Sequence, residues 1–197
     1  MRVIRVPGQK LFVSLLLVLV AGSLQGCVAA AAVGVGAAGV LLVNDRRTNE
    51  AYVDDQKIEV KAFERIDKQI KSVMHVNVTS FNYRVLIGGE VPDESTKAEI
   101  GKIVSGIEKV RDVSNELAVS AASSLATRGN DSLITSNVKL RFMNDNLFNS
   151  EHIKVVTENG TVFLMGIVNR AEADAATEVT RTTQGVQRVV RMFEYLD

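Results

Sequence analysis

The sequence has no tryptophan, one cysteine, two histidines and no excess of either charge. Each shortage excludes something. With no tryptophan and seven phenylalanines in 197 residues, a core must be assembled mainly from Val, Ile, Leu and Ala. The single cysteine, Cys27, rules out an intramolecular disulfide and any cysteine-based zinc site. Lys plus Arg equals Asp plus Glu at 23 each, so the basic surplus of nucleic-acid-binding domains is missing and nucleic acid is not an expected partner. No GxSxG elbow, HExxH pair, Walker-type glycine loop or paired-carboxylate motif occurs. The acids are scattered as solvated charges usually are. The expectation is a chain of one or two domains, at ~100–200 residues each, with no catalytic residues, no cofactor and no metal.

What is present begins with Arg2, Arg5 and Lys10, a basic start to an apolar run from Leu11 to Leu24. This is secretory-leader length. An uncleaved spanning helix needs ~20 consecutive apolar residues, and Gly22, Ser23, Gln25 and Gly26 interrupt the run. Leu24-Gln25-Gly26-Cys27 matches a bacterial lipobox, so Cys27 is expected to be the lipid-attachment residue, exposed by cleavage of residues 1–26. Cleavage removes three basic residues and no acid, leaving a formal charge of −3. In lipoproteins of this kind an aspartate after the cysteine retains the protein at the inner membrane. Val28 stands there instead, which implies the outer membrane of a Gram-negative envelope. Residues 27–53 then form an Ala/Gly-rich tether. Within it Gly34-Val35-Gly36-Ala37-Ala38-Gly39 matches the dinucleotide fingerprint GxGxxG, but that motif needs a buried strand before it. Only seven residues separate the cleavage site from Gly34. The match is a decoy.

The remainder is an internal repeat. Val76-x-Val78 followed by Asn82 to Val91 matches Ile153-x-Val155 followed by Asn159 to Val168 at a constant offset of 77. Each piece reads as a hairpin of apolar, β-branched runs, and Asn159-Gly160 is the strongest turn signal in the chain. A helix-compatible stretch follows, Ser95 to Val104 or Ala171 to Thr180, each closing near a glycine, Gly106 or Gly185. A last strand comes next, at Val110-Arg111-Asp112-Val113 or Val189 to Phe193. A further helix precedes each hairpin, roughly Asp55 to Ile70 and Asp131 to Leu147, with Asp131 or Ser132 as the expected N-cap of the second. His75 and His152 fall at equivalent positions, which repeat ancestry explains without a metal. The fold class is therefore α+β: two tandem α-β-β-α-β modules, each a three-stranded mixed sheet packed by two helices. Their boundaries are 54–120 and 131–197, with an Ala/Ser-rich linker at 121–130. A unit of ~65 residues is marginal alone, a reason for the two to pack together.

This pattern resembles the BON domain, and the whole arrangement resembles the dual-BON outer-membrane lipoprotein family. The residues that carry the likeness are Leu24 to Ala31, Asn130-Asp131-Ser132, Val156 to Gly160 and Phe163-Leu164-Met165-Gly166. The resemblance implies a non-enzymatic protein anchored in the outer membrane, facing the periplasm and supporting envelope integrity. It also implies enrichment at division sites and links to the outer-membrane assembly machinery or to peptidoglycan-amidase regulators. The expected ligand is anionic phospholipid, phosphatidylglycerol or cardiolipin, held by the first helix of the second module.

That helix differs from its counterpart when both are laid out at ~100° per residue. In the first, Ile58, Ala62, Ile66 and Val73 share one face. Lys57, Glu64, Asp67, Lys68 and Lys71 share the other, with Val60 the lone apolar intruder. In the second, Ile134, Val138 and Phe142 form the core face. Leu133, Leu140, Met143 and Leu147 form another apolar stripe, flanked by Ser136, Lys139 and Asn144. Exposed apolar patches rimmed by polar groups mark membrane or protein contacts. Leu133, Ser136, Lys139, Leu140, Met143 and Leu147 are thus the expected phospholipid site. Leu133 stands where the resembled family places a tryptophan, so the interfacial preference of an indole is absent. Two alternatives stay open: the stripe packs on the sister module, or it is a docking surface of an adaptor protein. Asn144-Asp145-Asn146 can also end the helix before Leu147.

Overall fold

The computed structural model describes residues 45–71 and 75–196. The leader, Cys27, residues 28–44 of the expected tether with its glycine fingerprint, and Val73 lie outside them, whereas residues 45–53, also read as tether, are described and end in a helix from Asn49. The first module runs α1 (Asn49–Gln69), β1 (His75–Phe81), β2 (Arg84–Val91), α2 (Glu94–Ser105), β3 (Asp112–Asn115) and a short β4 (Ala118–Val119). The second runs α3 (Leu125–Met143), β5 (Ile153–Glu158), β6 (Thr161–Val168), α4 (Arg170–Arg181) and β7 (Arg188–Tyr195), with a 3-10 turn at Ser150–His152 before β5. In both, the hairpin strands are antiparallel and the last strand lies parallel to the second, giving mixed sheets ordered β1-β2-β3 and β5-β6-β7. The α+β reading holds. In the first module the last strand is broken, and β4 resumes the pairing with β2 at Glu90 and Val91.

Two helix starts differ from expectation. α1 begins six residues before Asp55, capped by Thr48, whose Oγ1 accepts from the Ala51 amide at 3.1 Å. α3 begins at Leu125, so residues 125–130, read from the sequence as linker, form its first turns. Its cap is Ser124, whose Oγ accepts from the Thr127 amide at 3.1 Å. Asp131 is therefore no N-cap. It lies buried within the helix, and its carboxylate accepts from the amides of Asn159 and Gly160 at 2.8 and 2.9 Å.

The first module repeats this device. Asp55, fully buried, accepts from the amides of Asn82 and Tyr83 and from Ser80 Oγ. In each case a helical aspartate grips the turn of the hairpin beneath it. The grip has a reason. Both turns place two consecutive residues at positive φ, Asn82 and Tyr83 at 51° and 68°, Asn159 and Gly160 at 47° and 72°. That is the left-handed geometry a two-residue hairpin prefers. Gly160 adopts it freely, whereas a side chain such as that of Tyr83 costs about 1–2 kcal/mol there. The hydrogen bonds that the turn amides donate to Asp55, and the Arg111 guanidinium 4.7 Å above the Tyr83 ring, offset that strain.

A second shared feature lies at the other end of each hairpin. A Cβ on Gly89 would stand 2.1 Å from the His75 carbonyl oxygen, and one on Gly166 would stand 2.5 Å from that of His152. Only glycine lets the first strand approach so closely.

Each sheet buries its helix-facing side against two helices. Ile58, Ala62, Ile66, Ile100 and Val104 pack on Val85, Ile87 and Val91 in the first module, and Ile134, Val138, Phe142, Ala173 and Ala176 pack on Val162, Leu164 and Val168 in the second. The opposite faces of the two sheets pack against each other through Phe81, Leu86, Phe163, Met165, Ile167 and Met192. The result is four layers, helices outside and sheets back to back. Polar bridges rim this contact: Asn82 to Glu194, Arg84 to the Phe193 carbonyl, and Lys154 to Glu59.

Another bridge joins Asn77 Nδ2 to Glu158 Oε1 at 2.7 Å. Burial pushes the Glu158 carboxyl above its ordinary 4.5, with Asp131 and Glu90 adding repulsion, while the Asn77 hydrogen bond and nearby His75 oppose the rise. A raised carboxyl favours the protonated folded state, so this group weakens the fold at neutral pH and ceases to do so as pH falls below the ordinary value. Glu158→Gln keeps an acceptor for Asn77 and removes the charge. The variant is expected to melt higher than the parent at pH 7, with the gap closing by about pH 4. A gap that widened on acidification would contradict this.

Residues 45–48 form a strap across the module boundary. Arg46 reaches the second module, donating to both Glu172 carboxylate oxygens at 2.6 and 2.9 Å and to the Ile167 carbonyl. Arg47 reaches the first, donating to Asp55 at 2.9 Å with its guanidinium over the rings of Phe81 and Tyr52. The Arg46 guanidinium holds the Glu172 carboxyl below its usual range.

Candidate functional site

The core-facing residues of α3 are Asp131, Ile134, Val138 and Phe142, all buried. Its reverse face carries Leu125, Leu133, Leu140 and Met143, exposed at 81, 64, 57 and 71%. At 100° per residue these four fall within an arc of about 80°. Nineteen residues at ~1.5 Å each make a ridge about 28 Å long. The sister module does not cover it, because the modules meet through their sheets. That removes the first of the two alternatives the sequence left open.

Leu147 is not part of the ridge. The helix stops at Asn144, whose amide is bonded to the Arg141 and Phe142 carbonyls, and Asp145 Oδ1 then accepts from the Leu147 amide in a tight turn. Leu147 is exposed at 73%, but on the loop that follows. Leu125 is the residue the sequence reading missed. It lies two turns before Leu133 in a segment whose Ala, Ser and Gly content suggests a linker. The only signal for it was Ser124 as a possible cap.

The two flanks of the ridge differ. On one, Arg141 is engaged, donating to the Val179 carbonyl and to the hydroxyls of Thr182 and Thr183. On the other, Lys139 is exposed and makes no ion pair or hydrogen bond among the described residues. It borders a groove of ≈ 390 Å³ between α3 and the strap, whose walls include Met143, Arg47, Tyr52, Gln56 and Lys154. Ser136 is exposed between Leu133 and Leu140, its hydroxyl donating to the Ser132 carbonyl. The arrangement offers an apolar ridge with an unpaired ammonium beside it, the pairing that an acyl layer and its phosphate headgroups require. It offers no nucleophile–base pair. No group of three or more His, Cys, Asp or Glu suited to a metal occurs among the described residues, and no helix there is long and apolar enough to cross a membrane.

α1 is not as the sequence suggested. Besides Val60, it exposes Val53 and Phe63, the latter at 69%. Phe63 sits about a quarter-turn from the core stripe, a position that a two-face division of the helix overlooks.

Two copies of the BON domain match the chain, at residues 54–121 and 130–197, and the chain belongs to the BON-domain family. It is similar to the Outer membrane lipoprotein DolP of Haemophilus influenzae, 39% identical over 176 residues that cover 88% of this chain and 91% of that one. It is also similar to the 21 kDa hemolysin of Actinobacillus pleuropneumoniae, 32% identical over 77% of this chain and 79% of the relative. Osmotically-inducible protein Y of Escherichia coli matches at 32% over 70% and 71% of the two chains.

Proposed function

We propose that this chain is a non-enzymatic outer-membrane lipoprotein, acylated at Cys27 and facing the periplasm. Its second module binds anionic phospholipid, phosphatidylglycerol or cardiolipin, through the outer face of α3. Leu125, Leu133, Leu140 and Met143 enter the acyl boundary, and Lys139 takes a headgroup phosphate from the groove side. The observation that carries this is the exposed apolar ridge on a helix whose other face is locked into a core. Placed in water, such a ridge is a standing cost; laid in a bilayer interface, it is the geometry of an in-plane amphipathic helix. The lipobox and the likeness to a protein named as an outer-membrane lipoprotein support the address.

Acyl chains at Cys27, at ~0.8 kcal/mol per buried CH₂, hold the protein at the membrane unaided. The task left to α3 is choosing where on that membrane the protein settles. Enrichment at division sites, support of envelope integrity and proximity to assembly or amidase-regulating machinery follow from that choice in this reading.

The test is a titration of the non-acylated mature chain with phosphatidylglycerol micelles, followed by amide NMR. Shifts should concentrate on residues 125–143. Uniformly small shifts, or shifts confined to β2 and β6, would sink the proposal. A protein partner lost in Leu140→Asp, combined with indifference to lipid, would instead make α3 the docking face of an adaptor.

A further inference from the structure

A second surface lies on the first module, away from the α3 ridge. β1 is an edge strand, paired on one side only, with β2. In an antiparallel pair, alternate residues turn their N–H and C=O toward the partner and the others turn them away. The two-residue turn at Asn82-Tyr83 sets the phase: Phe81 and Arg84 flank it as a bonded pair, so Thr79, Asn77 and His75 also face β2. Ser80, Val78 and Val76 face outward. Ser80 confirms this phase, for its amide donates to Glu59 at 2.8 Å and its carbonyl accepts from Lys154 at 3.3 Å. Val76 and Val78 have no such caps among the described residues, which leaves two amides and two carbonyls in a row on the open edge.

Beside that edge is a groove of ≈ 290 Å³ between β1 and α1. Phe63 and Ile66 form one wall and Val76 and Val78 the other, with Glu59 and Asp67 at the rim. Glu59 is already engaged by Lys154 and Ser80. Asp67 is exposed and has no ion pair or hydrogen bond among the described residues.

Edge strands are normally blunted by charge, proline or brevity. β7 carries Arg188, Arg191 and Glu194, β5 carries Lys154 and Glu158, and β3 is four residues long with Asp112 in it. β1 reads His-Val-Asn-Val-Thr-Ser-Phe, with no Asp, Glu, Lys, Arg or Pro. The edge left bare is also the one beside an apolar groove under an exposed phenylalanine.

We propose that this groove captures an extended polypeptide segment of a partner protein, which adds to β1 as a further strand. The outward amides and carbonyls of Val76 and Val78 bond its backbone. An apolar side chain enters between Phe63, Ile66 and Val78, and a neighbouring Lys or Arg pairs with Asp67. Alternating donors and acceptors at strand spacing call for a peptide backbone rather than a lipid. An edge strand beside a helix is a recurring peptide-recognition geometry. The site is independent of α3, so one molecule could hold lipid and peptide together.

Proline at position 78 is the discriminating change. It deletes an N–H that faces away from β2, so the β1–β2 ladder stays intact, and proline is tolerated on edge strands in that orientation. Random peptides displayed on phage would be selected on the non-acylated mature chain. Winning sequences should carry an apolar residue next to Lys or Arg and shift the amides of Phe63, Val76 and Val78. Val78→Pro should weaken them about tenfold, through one lost bond and one stranded carbonyl, with circular dichroism and phospholipid binding unchanged. If that variant fails to fold, the wild-type protein still decides. N-methylating the peptide at alternate residues should weaken binding, and N-methylating the residues between should not. Failure to enrich any peptide, or enriched peptides indifferent to both proline and N-methylation, would overturn the proposal.

Discussion

Leu133→Asp combined with Leu140→Asp is expected to abolish binding of the non-acylated chain to phosphatidylglycerol vesicles while leaving its melting temperature nearly unchanged. Immersing a leucine side chain is worth about 1.5–3 kcal/mol. Losing two removes roughly 3–6 kcal/mol before any repulsion between new carboxylates and anionic headgroups, so affinity should fall by at least about 100-fold. Both side chains are more than half exposed, so the folded state loses little. Surface changes of this kind stay within ~0.5 kcal/mol. Co-sedimentation with vesicles reads the first quantity and thermal unfolding the second. In the acylated protein the same double change should leave membrane attachment intact and alter only distribution along the envelope. Wild-type binding by the double variant would dismiss α3 as the lipid face.

Asp55→Ala is expected to cost about 3–5 kcal/mol of stability, against the 5–15 kcal/mol of a typical domain. Its carboxylate, fully buried, accepts from Arg47, Ser80 and the two turn amides, all within 2.9 Å. Alanine strands two amides at positive φ and takes from the buried Arg47 guanidinium one of its two carboxylates, leaving it only Asp45, 2.6 Å away. Asp131→Ala is the internal control. Asp131 holds the equivalent turn in the second module, but among the described residues its hydrogen-bond partners are two amides and no arginine. It should cost about 2–3 kcal/mol, each stranded amide counting near the lower end of about 1–3 kcal/mol because Asp131 is less completely buried than Asp55. Urea unfolding followed by far-ultraviolet circular dichroism is the suitable measurement, since no tryptophan is available for fluorescence. Equal costs for the two substitutions would show that Arg47 adds nothing to the Asp55 site.

The repeat made the modules legible from sequence. An offset of 77 across the hairpins, with Asn159-Gly160 marking one turn, located the hairpins and left only the strand ends uncertain. Helix starts were less legible, and Asp131 shows why. A polar residue ahead of a periodic apolar run looks like a cap, yet this aspartate serves a turn 28 residues away in sequence. Gly129 and the small residues around it hid the first turns of α3, because glycine and serine disfavour helices unless tertiary packing overrides them. The α3 ridge was readable as a second stripe, except for Leu125 at its hidden start and Leu147 beyond its end.

The sheet-to-sheet contact leaves a trace in the sequence of β6. β6 is apolar without alternation from Val162 to Val168, apart from Gly166, which is how a strand buried on both faces reads. Two helices on one face could not account for it. The edge of β1 was invisible for a different reason. Which backbone groups face outward depends on the phase of the hairpin, and no side chain reports that.

The strap bears on how the molecule carries load. A chain attached to a membrane is subject to drag and tension, and force enters the folded part at the first residue that is fixed. Arg46 holds one module and Arg47 the other, so under the proposed anchoring any tension from the N-terminal side meets both modules at adjacent residues. Neither module is the outer link of a series in which the weaker one yields first.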